Sequence, residues 1–360
     1  MLSGGDLAVW APGRVNLIGE HTDYSGGLVL PAAIQLGVTV RIHRISETIS
    51  LRSDAFGDTA PFAPDGGGPL VDGWARVGQA VARELADLGR APIGLEATIE
   101  SDLPAGVGLS SSAALEIGIG LALCAIAGFD LEPLELAKAC RQAEFRALGV
   151  PCGILDQAAC VLGRESEAVL LNCETLQYRH VSVPRDAVLL VVDSGTPRDL
   201  ETSDYAVRRN ELGRALDLVG KSTSTKVTVD DLGLVDEVSR RRLRHVMTEN
   251  ERVNNFVAAL SANDLESAGR LMSASHASLR DDYEVSTPAL NELVVLAERE
   301  GAFGARLLGG GFGGAILALV SAQAATAIAN AIVDGYSGIA TAIPVRASDG
   351  ARVRVSTAPS

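Results

Sequence analysis

Lysine is almost missing from this 360-residue chain: it occurs only as Lys138, Lys221 and Lys226, and none of the three lies in a glycine-rich loop. A Walker-type phosphate loop, whose Lys reaches the phosphates, is thereby excluded. Positive charge is scarce altogether, with 31 Lys and Arg against 45 Asp and Glu and a formal net charge of −14. Nucleic acids and anionic membranes bind through a basic face, so neither is an expected partner. An anionic nucleotide would have to be met locally, by backbone N–H groups, a metal and a few Arg. Paired cysteines are also missing. The five cysteines (Cys124, Cys140, Cys152, Cys160, Cys173) form no CxxC and sit among apolar residues, as small buried hydrophobes do in a reducing compartment, and a cytoplasmic protein is expected. The chain does not open on a basic-then-apolar leader, because Met1 to Asp6 is small and polar. The longest apolar stretch, Ala113 to Phe129, contains Glu116 and several glycines and reads as a buried helix, too short for a membrane span.

Hydrophobic residues make up 47% of the chain, enough at this length for two lobes, each with its own core and a cleft between them. Val38 to Ile45 and Leu95 to Ile99 alternate β-branched and polar residues, so the first part reads as strand-rich. Gly66-Gly67-Gly68, between Pro64 and Pro69, reads as a surface loop, and Trp74 to Leu88 has helical spacing. Helical patterns follow over Ala113 to Leu148, with Glu132-Pro133 opening a second helix, then over Ser203–Leu218, Glu237–Ala262, Asp264–Arg280, Pro288–Glu300 and Ala322–Asp334. Strands are expected at Val188–Val192, Ala315–Val320 and Arg352–Val355, the first near the boundary between the lobes. Helices mixed with strands and hairpins indicate an α+β protein, divided here into residues 1–185 and 186–360.

Ala11 to Pro31, APGRVNLIGEHTDYSGGLVLP, packs Arg14, Glu20, His21 and Asp23 against turn glycines and the apolar Leu28-Val29-Leu30. Four ionisable groups held on such a scaffold are suited to gripping a small polar ligand; the bland alternative is a charged surface loop. Pro104-Ala-Gly-Val-Gly-Leu-Ser-Ser-Ser-Ala-Ala places Gly106, Gly108, Ser110, Ser111 and Ser112 just before an apolar helix. Glycines let the backbone approach an anion, and the free amides and dipole of the first helical turn favour phosphate there. An ordinary Ser cap of that helix is the competing reading. Leu307 to Ala315 is a second glycine loop, with five glycines in six positions, which requires close approach of another backbone or of a ligand. Asp156, in Pro151-Cys-Gly-Ile-Leu-Asp-Gln157, stands among small and apolar residues and should be paired, unless it is simply a helix N-terminal Asp. His43, His180 and His245 are isolated, lack metal-ligand spacing and receive no role.

The first of these segments closely resembles the N-terminal signature of galactokinases, members of the GHMP superfamily of small-molecule kinases. Leu109-Ser-Ser-Ser-Ala resembles the GHMP phosphate loop and the second glycine loop the third GHMP motif, with Leu308 where galactokinases usually have Thr. Ser203-Asp-Tyr205-Ala-Val-Arg-Arg209 is similar to the family's S-x-Y-x-x-R-R, and Ser275 to Glu284 to its S-H-x-S-x-R-D-D-[FY]-E. The resemblance runs from about Trp10 to Val320, with the motifs in the family's order.

The resemblance implies a two-lobed GHMP kinase fold, with an N-terminal lobe of the ribosomal-protein S5 type and a C-terminal ferredoxin-like lobe. It implies an enzyme that transfers phosphate from ATP to the anomeric hydroxyl of galactose, and a monomer is expected. Asp156 would be the base and Arg14 would stabilise charge beside it. Glu20, His21, Asp23, Gly153 and Tyr205 would meet the sugar, with Asp23 reading the C3 and C4 hydroxyls. Gly106, Gly108, Ser110, Ser111 and Ser112 would cradle the triphosphate, and Ser112 and Glu144 would hold Mg²⁺, unless Glu144 is an exposed helix charge. His276 and Arg280 would serve the same branch of the family or clamp the lobes. A kinase for N-acetylgalactosamine or arabinose, or a sugar sensor without activity on the same scaffold, are the alternatives.

Overall fold

A computed structural model describes residues 7–149, 152–196 and 203–355. Met1–Asp6, Pro151 and the residues just ahead of Ser203 lie outside them. The first half runs β1 (Leu7–Asn16), β2 (Leu28–Val29), β3 (Pro31–Ser46), β4 (Ser50–Ser53), β5 (Gly57–Asp58), α1 (Ala75–Asp87), β6 (Gly94–Ser101), α2 (Ser111–Ala127), α3 (Pro133–Leu148), α4 (Leu155–Leu162), β7 (Glu167–Asn172) and β8 (Tyr178–Ser182). The second runs β9 (Ala187–Asp193), α5 (Ser203–Leu218), α6 (Glu237–Ser261), α7 (Leu265–Asp281), α8 (Pro288–Arg299), β10 (Gly304–Leu307), β11 (Ala315–Ser321), α9 (Ala325–Gly335), β12 (Thr341–Val345) and β13 (Arg352–Val355).

Three sheets organise these elements. A six-stranded sheet in the order β13-β1-β3-β6-β4-β5 and a three-stranded sheet β2-β7-β8 belong to the first half; a four-stranded antiparallel sheet β10-β11-β9-β12 belongs to the second. The last strand returns to the first half, where Leu7 to Trp10 pair with Val355 to Arg352. A division of the chain at residue 186 therefore does not separate the sheets cleanly, because residues 352–355 complete the N-terminal one. Strand β9 is an inner strand between β11 and β12, which accounts for its unbroken apolar run.

Helix α2 is apolar all round and packs on β1 and β3, with α1, α3 and α4 around it. That is the buried helix expected from its composition. Caps written in the sequence explain why the later helix boundaries were legible. Asp236, Asp264 and Thr287 accept from the amides of Ser239 (3.0 Å), Ser267 (2.9 Å) and Leu290 (3.3 Å), and Pro288 occupies the first position of α8. The Gly66–Gly68 loop is a loop as expected, but it is strapped down: Gln79 Nε2 donates to the carbonyls of Gly67 (3.2 Å) and Pro69 (3.0 Å), and Gly66 is buried. All five cysteines are free, Cys124, Cys140 and Cys160 buried and Cys152 and Cys173 half-buried. Among the described residues no helix is long and apolar enough to cross a membrane.

Candidate active site

Strand β1 delivers Arg14. Its register with β3 shifts between Pro12 and Arg14, a bulge that re-aims the side chain at the end of the strand. The backbone amide of Arg14 donates to Leu109 O (3.0 Å), tying the strand to the loop ahead of α2. In that loop Leu103, Val107 and Leu109 are buried pegs, and Gly106 and Gly108 between them have φ of +78° and +82°, the left-handed region that suits glycine. Space in front of Gly106 is open, so backbone conformation rather than crowding calls for glycine there.

The guanidinium of Arg14 donates from Nη1 to Gly108 O (2.6 Å) and from Nε to Asp156 Oδ1 (2.7 Å). Arg14 is buried, whereas a third of the Asp156 side chain remains open to solvent, so the pair has one accessible face. Burial opposes the charge of Arg14, but Asp156 and Glu20 outweigh it and the guanidinium is held above its ordinary range. The second carboxylate oxygen of Asp156 accepts from the Ser110 hydroxyl. Both readings of Asp156 thus hold together: it lies in the first turn of α4 and is paired.

Ser110 is the residue before α2 and has φ of +59°. Its side chain makes no capping bond to the helix, so the ordinary Ser cap is excluded. The first-turn amides are left for an incoming anion, and Ser111 and Ser112 beside them are exposed.

Asp23 is near enough to Asp156 for the two carboxylates to repel. Gly153 packs so closely on the Asp23 carboxylate that any β-carbon there would collide with it. Burial, then the charges of Asp156 and Glu20, push the Asp23 carboxyl up to about 7. Glu20 is buried and committed on one oxygen: Oε1 accepts from Arg306 Nη2 (2.6 Å) and from the Gly309 amide (2.7 Å). These partners, together with Arg14, overcome burial and keep Glu20 below its usual range. His21, with φ of +62°, sits among rings, 4.7 Å from Tyr283, 5.6 Å from Tyr205 and 5.9 Å from Tyr24 between centroids, and its Nδ1 lies 2.9 Å from the Tyr24 hydroxyl. Tyr205 comes from α5; burial and the nearby Asp23 push its phenol well up.

The second glycine loop passes between these groups. A side chain at Gly310 would press on the Tyr205 ring at 3.1 Å, and one at Gly311 would strike Val285. Close approach of neighbouring groups therefore accounts for these glycines. Leu308 is wholly buried, so the position that is usually Thr presents an apolar side chain to the core.

Glu144 is no free surface charge. Its Oε2 accepts from Cys152 Sγ (2.8 Å) and Gln157 Nε2 (3.0 Å), and the same amide nitrogen donates to Oε2 of the buried Glu116 (2.9 Å). Burial raises both carboxyls; the charge of Glu144 adds to it at Glu116, and that of Asp156 at both. Glu116 Oε1 has no partner among the described residues. A hard cation beside Glu144 would relieve the repulsion from Asp156. The oxygen donors of Glu144 and Ser112 suit Mg²⁺, which takes its remaining ligands from phosphate and water. No cluster of three or more His, Cys, Asp or Glu that could hold a metal unaided occurs among the described residues.

Several further residues, given no role from the sequence, belong to the site. Tyr24 and Tyr283 bond through their hydroxyls (2.8 Å), Arg306 is the buried counter-ion of Glu20, and His245, given no role above, points Nε2 at Glu20 O (3.1 Å). Tyr24, in the Ala11–Pro31 segment, and Tyr283, in the D-D-[FY]-E pattern, do lie in motifs, whereas Arg306 and His245 do not. His276 does not clamp the lobes: Nε2 meets Asn291 (3.0 Å) and Nδ1 accepts from the Leu307 amide (3.3 Å), contacts within the second half, while Arg280 pairs with its neighbour Asp281. Burial lowers the His276 imidazole to about 4, which suits such an acceptor.

Family models match along the chain: the galactokinase galactose-binding signature over residues 3–44, the GHMP kinases N terminal domain over 75–164 and the GHMP kinases C terminal over 256–338. The chain is 38% identical over 354 residues to a galactokinase of Pyrococcus furiosus, covering 96% of this chain and 99% of that one. It is 39% identical over 363 residues to a galactokinase of Canis lupus familiaris, covering 97% and 92%. The crystal structure of Lactococcus lactis galactokinase complexed with galactose matches the fold with a TM-score of 0.90 at 33% identity, covering 97% of this chain and 95% of that one.

Proposed function

The chain belongs to the galactokinase family of GHMP kinases, and from that membership we propose that it phosphorylates the anomeric hydroxyl of D-galactose with ATP, giving galactose 1-phosphate and ADP. The observation that carries the reading is the meeting of three motifs at one carboxylate: Arg14 of the sugar segment and Ser110 of the phosphate loop both bond to Asp156.

In this reading Asp156 accepts the proton of the anomeric hydroxyl as that oxygen bonds to the γ-phosphorus, and the bond from the γ-phosphorus to the bridging oxygen breaks to release ADP. A loose transition state asks little of a base and much of positioning and charge stabilisation. The buried charge of Arg14 supplies some of the latter. Asp23 accepts from the C3 and C4 hydroxyls, because one carboxylate can take two adjacent donors and so separate an axial from an equatorial C4 hydroxyl. Glu20, His21, Gly153 and Tyr205 complete the sugar pocket, Glu20 through the oxygen that Arg306 leaves unused. Gly106, Gly108, Ser110, Ser111 and Ser112 cradle the triphosphate. Ser112 and Glu144 would hold Mg²⁺, which when bound offsets charge on the β- and γ-phosphates. The acidic balance of the chain speaks against nucleic acid or membrane as partner, the unpaired cysteines suit a reducing, cytoplasmic compartment, and the enzyme is taken to act on its small-molecule substrates as a monomer.

Mg²⁺-dependent ADP release across galactose, N-acetylgalactosamine, arabinose, glucose and no sugar tests this. Galactose should be preferred. Preference for another sugar would keep the chemistry and move the substrate, and silence with all of them despite binding of sugar and ATP would favour a sensor.

A further inference from the structure

Helix α6 turns one face to the segment that carries Glu20, His21 and Asp23. His245, Glu249, Asn250 and Val253 share that face, at spacings of about one and two turns. They meet the backbone of the segment, not its functional side chains. The Gly19 amide donates to Glu249 Oε1 (2.9 Å), His245 Nε2 lies 3.1 Å from Glu20 O, and the Leu28 amide donates to Asn250 Oδ1 (2.8 Å). One helix therefore holds both ends of the loop whose middle faces the reacting groups. The loop is pinched where it begins: Gly19 has φ of +99°, and a β-carbon there would lie 2.6 Å from Leu28 O and 3.1 Å from Val253 Cγ2.

Glu249 is the centre of the grip. It is wholly buried, and its carboxylate is fully engaged, Oε1 also accepting from Ser275 Oγ (2.7 Å) and Oε2 from Arg252 Nε (2.7 Å). A carboxylate taken out of water is costly unless bonded in this way, and a charged acceptor holds an amide more firmly than a neutral one. Arg252, His245 and Arg306 outweigh the effect of burial and draw its carboxyl down to about 2.

We propose that Glu249 is a positioning residue for the sugar: through the Gly19 amide it sets where Glu20, His21 and Asp23 stand, and so the affinity for galactose, without touching the substrate. The proposal rests on the reading of that segment as the galactose site. Glu249→Gln keeps the shape and replaces charged acceptors by neutral ones. KM for galactose should rise on the order of tenfold, while KM for ATP and kcat at saturating galactose stay within about twofold. Val257→Ala, two turns further along the same helix and 5% exposed, serves as the control: it should lower Tm and leave the galactose KM unmoved. An unchanged galactose KM in Glu249→Gln, or an equal rise in Val257→Ala, would overturn the proposal. Hydrogen exchange in the sugar-free wild type reads the same grip without a variant. Strong protection of the Gly19 and Leu28 amides is expected, and rapid exchange would contradict it. Wild-type protein that phosphorylates no sugar overturns the functional reading instead, and a galactose dissociation constant from calorimetry then replaces KM in the comparison of the variants.

Discussion

The hydroxyl of Ser110 donates to one oxygen of Asp156, so the residue ahead of α2, the helix proposed to receive phosphate, is bonded directly to the carboxylate proposed as base. Arg14 holds the other oxygen at 2.7 Å. Neither carboxylate oxygen can move without the phosphate loop or the sugar segment moving with it. In the proposed mechanism, alignment of the sugar oxygen with the γ-phosphate is thereby built into the resting fold, and alignment is the larger part of what this chemistry asks of a protein.

Ser110→Gly separates the two roles of that residue. The hydroxyl on Asp156 is lost, and kcat should fall roughly tenfold or more, in line with a hydrogen bond to a charged group being worth about 1.5–3 kcal/mol. The left-handed φ of +59° suits Gly better than Ser, and this relief of about 1–2 kcal/mol offsets much of the lost bond, so Tm should change little. Steady-state kinetics beside thermal melts check both, and a fall in Tm with kcat retained would contradict the assignment.

Gly153→Ala should damage the sugar site more than the fold. The added methyl would displace the Asp23 carboxylate and press on Asp23 Cβ at 2.9 Å, so the sugar segment itself must shift there. KM for galactose should rise by about tenfold or more while KM for ATP changes little. A variant with unchanged galactose KM would remove Asp23 from the sugar site.

Galactose binding should depend on pH through Asp23, whose carboxyl is pushed up to about 7 by burial and by Asp156 and Glu20. Hydroxyl donors prefer the carboxylate, so kcat/KM for galactose should rise with pH below about 7 and level off above it. The folded value is raised, so the contribution of Asp23 to stability is full below the unfolded carboxylate range near 4 and is lost as pH rises through about 7. The gain in Tm on adding galactose should accordingly be larger at about pH 8 than at about pH 6. Asp23→Asn should abolish both dependences; a wild-type profile that is flat across this range would contradict the role.

Much of this organisation was legible in the sequence wherever local chemistry dictates it. Asp236, Asp264, Thr287 and Pro288 mark helix starts through bonds made within a few residues, and those boundaries were read closely. Strand β1 was not seen as a strand, because Ala11-Pro12-Gly13 interrupts any alternation and residues 9–16 are buried without a solvent face. β10 has four residues, too few for a periodic pattern. At the site, the residues proposed to face the ligand sit in dense motifs, whereas those that hold them in place come from far along the chain. Glu249 is 230 positions from Gly19 and Arg306 is 286 from Glu20, and nothing local distinguishes either from an ordinary helix or strand charge. Their meaning appears only when the fold sets them against the sugar segment.

The central claim is phosphoryl transfer to the anomeric oxygen of galactose with Asp156 as the accepting base, and ³¹P NMR of the products formed by wild type and Asp156→Asn with ATP, Mg²⁺ and galactose tests it most directly. Wild type should give galactose 1-phosphate, while Asp156→Asn should still bind both substrates and turn over at least ~100-fold more slowly. Phosphate appearing on another hydroxyl, or Asp156→Asn turning over at the wild-type rate, would contradict the account.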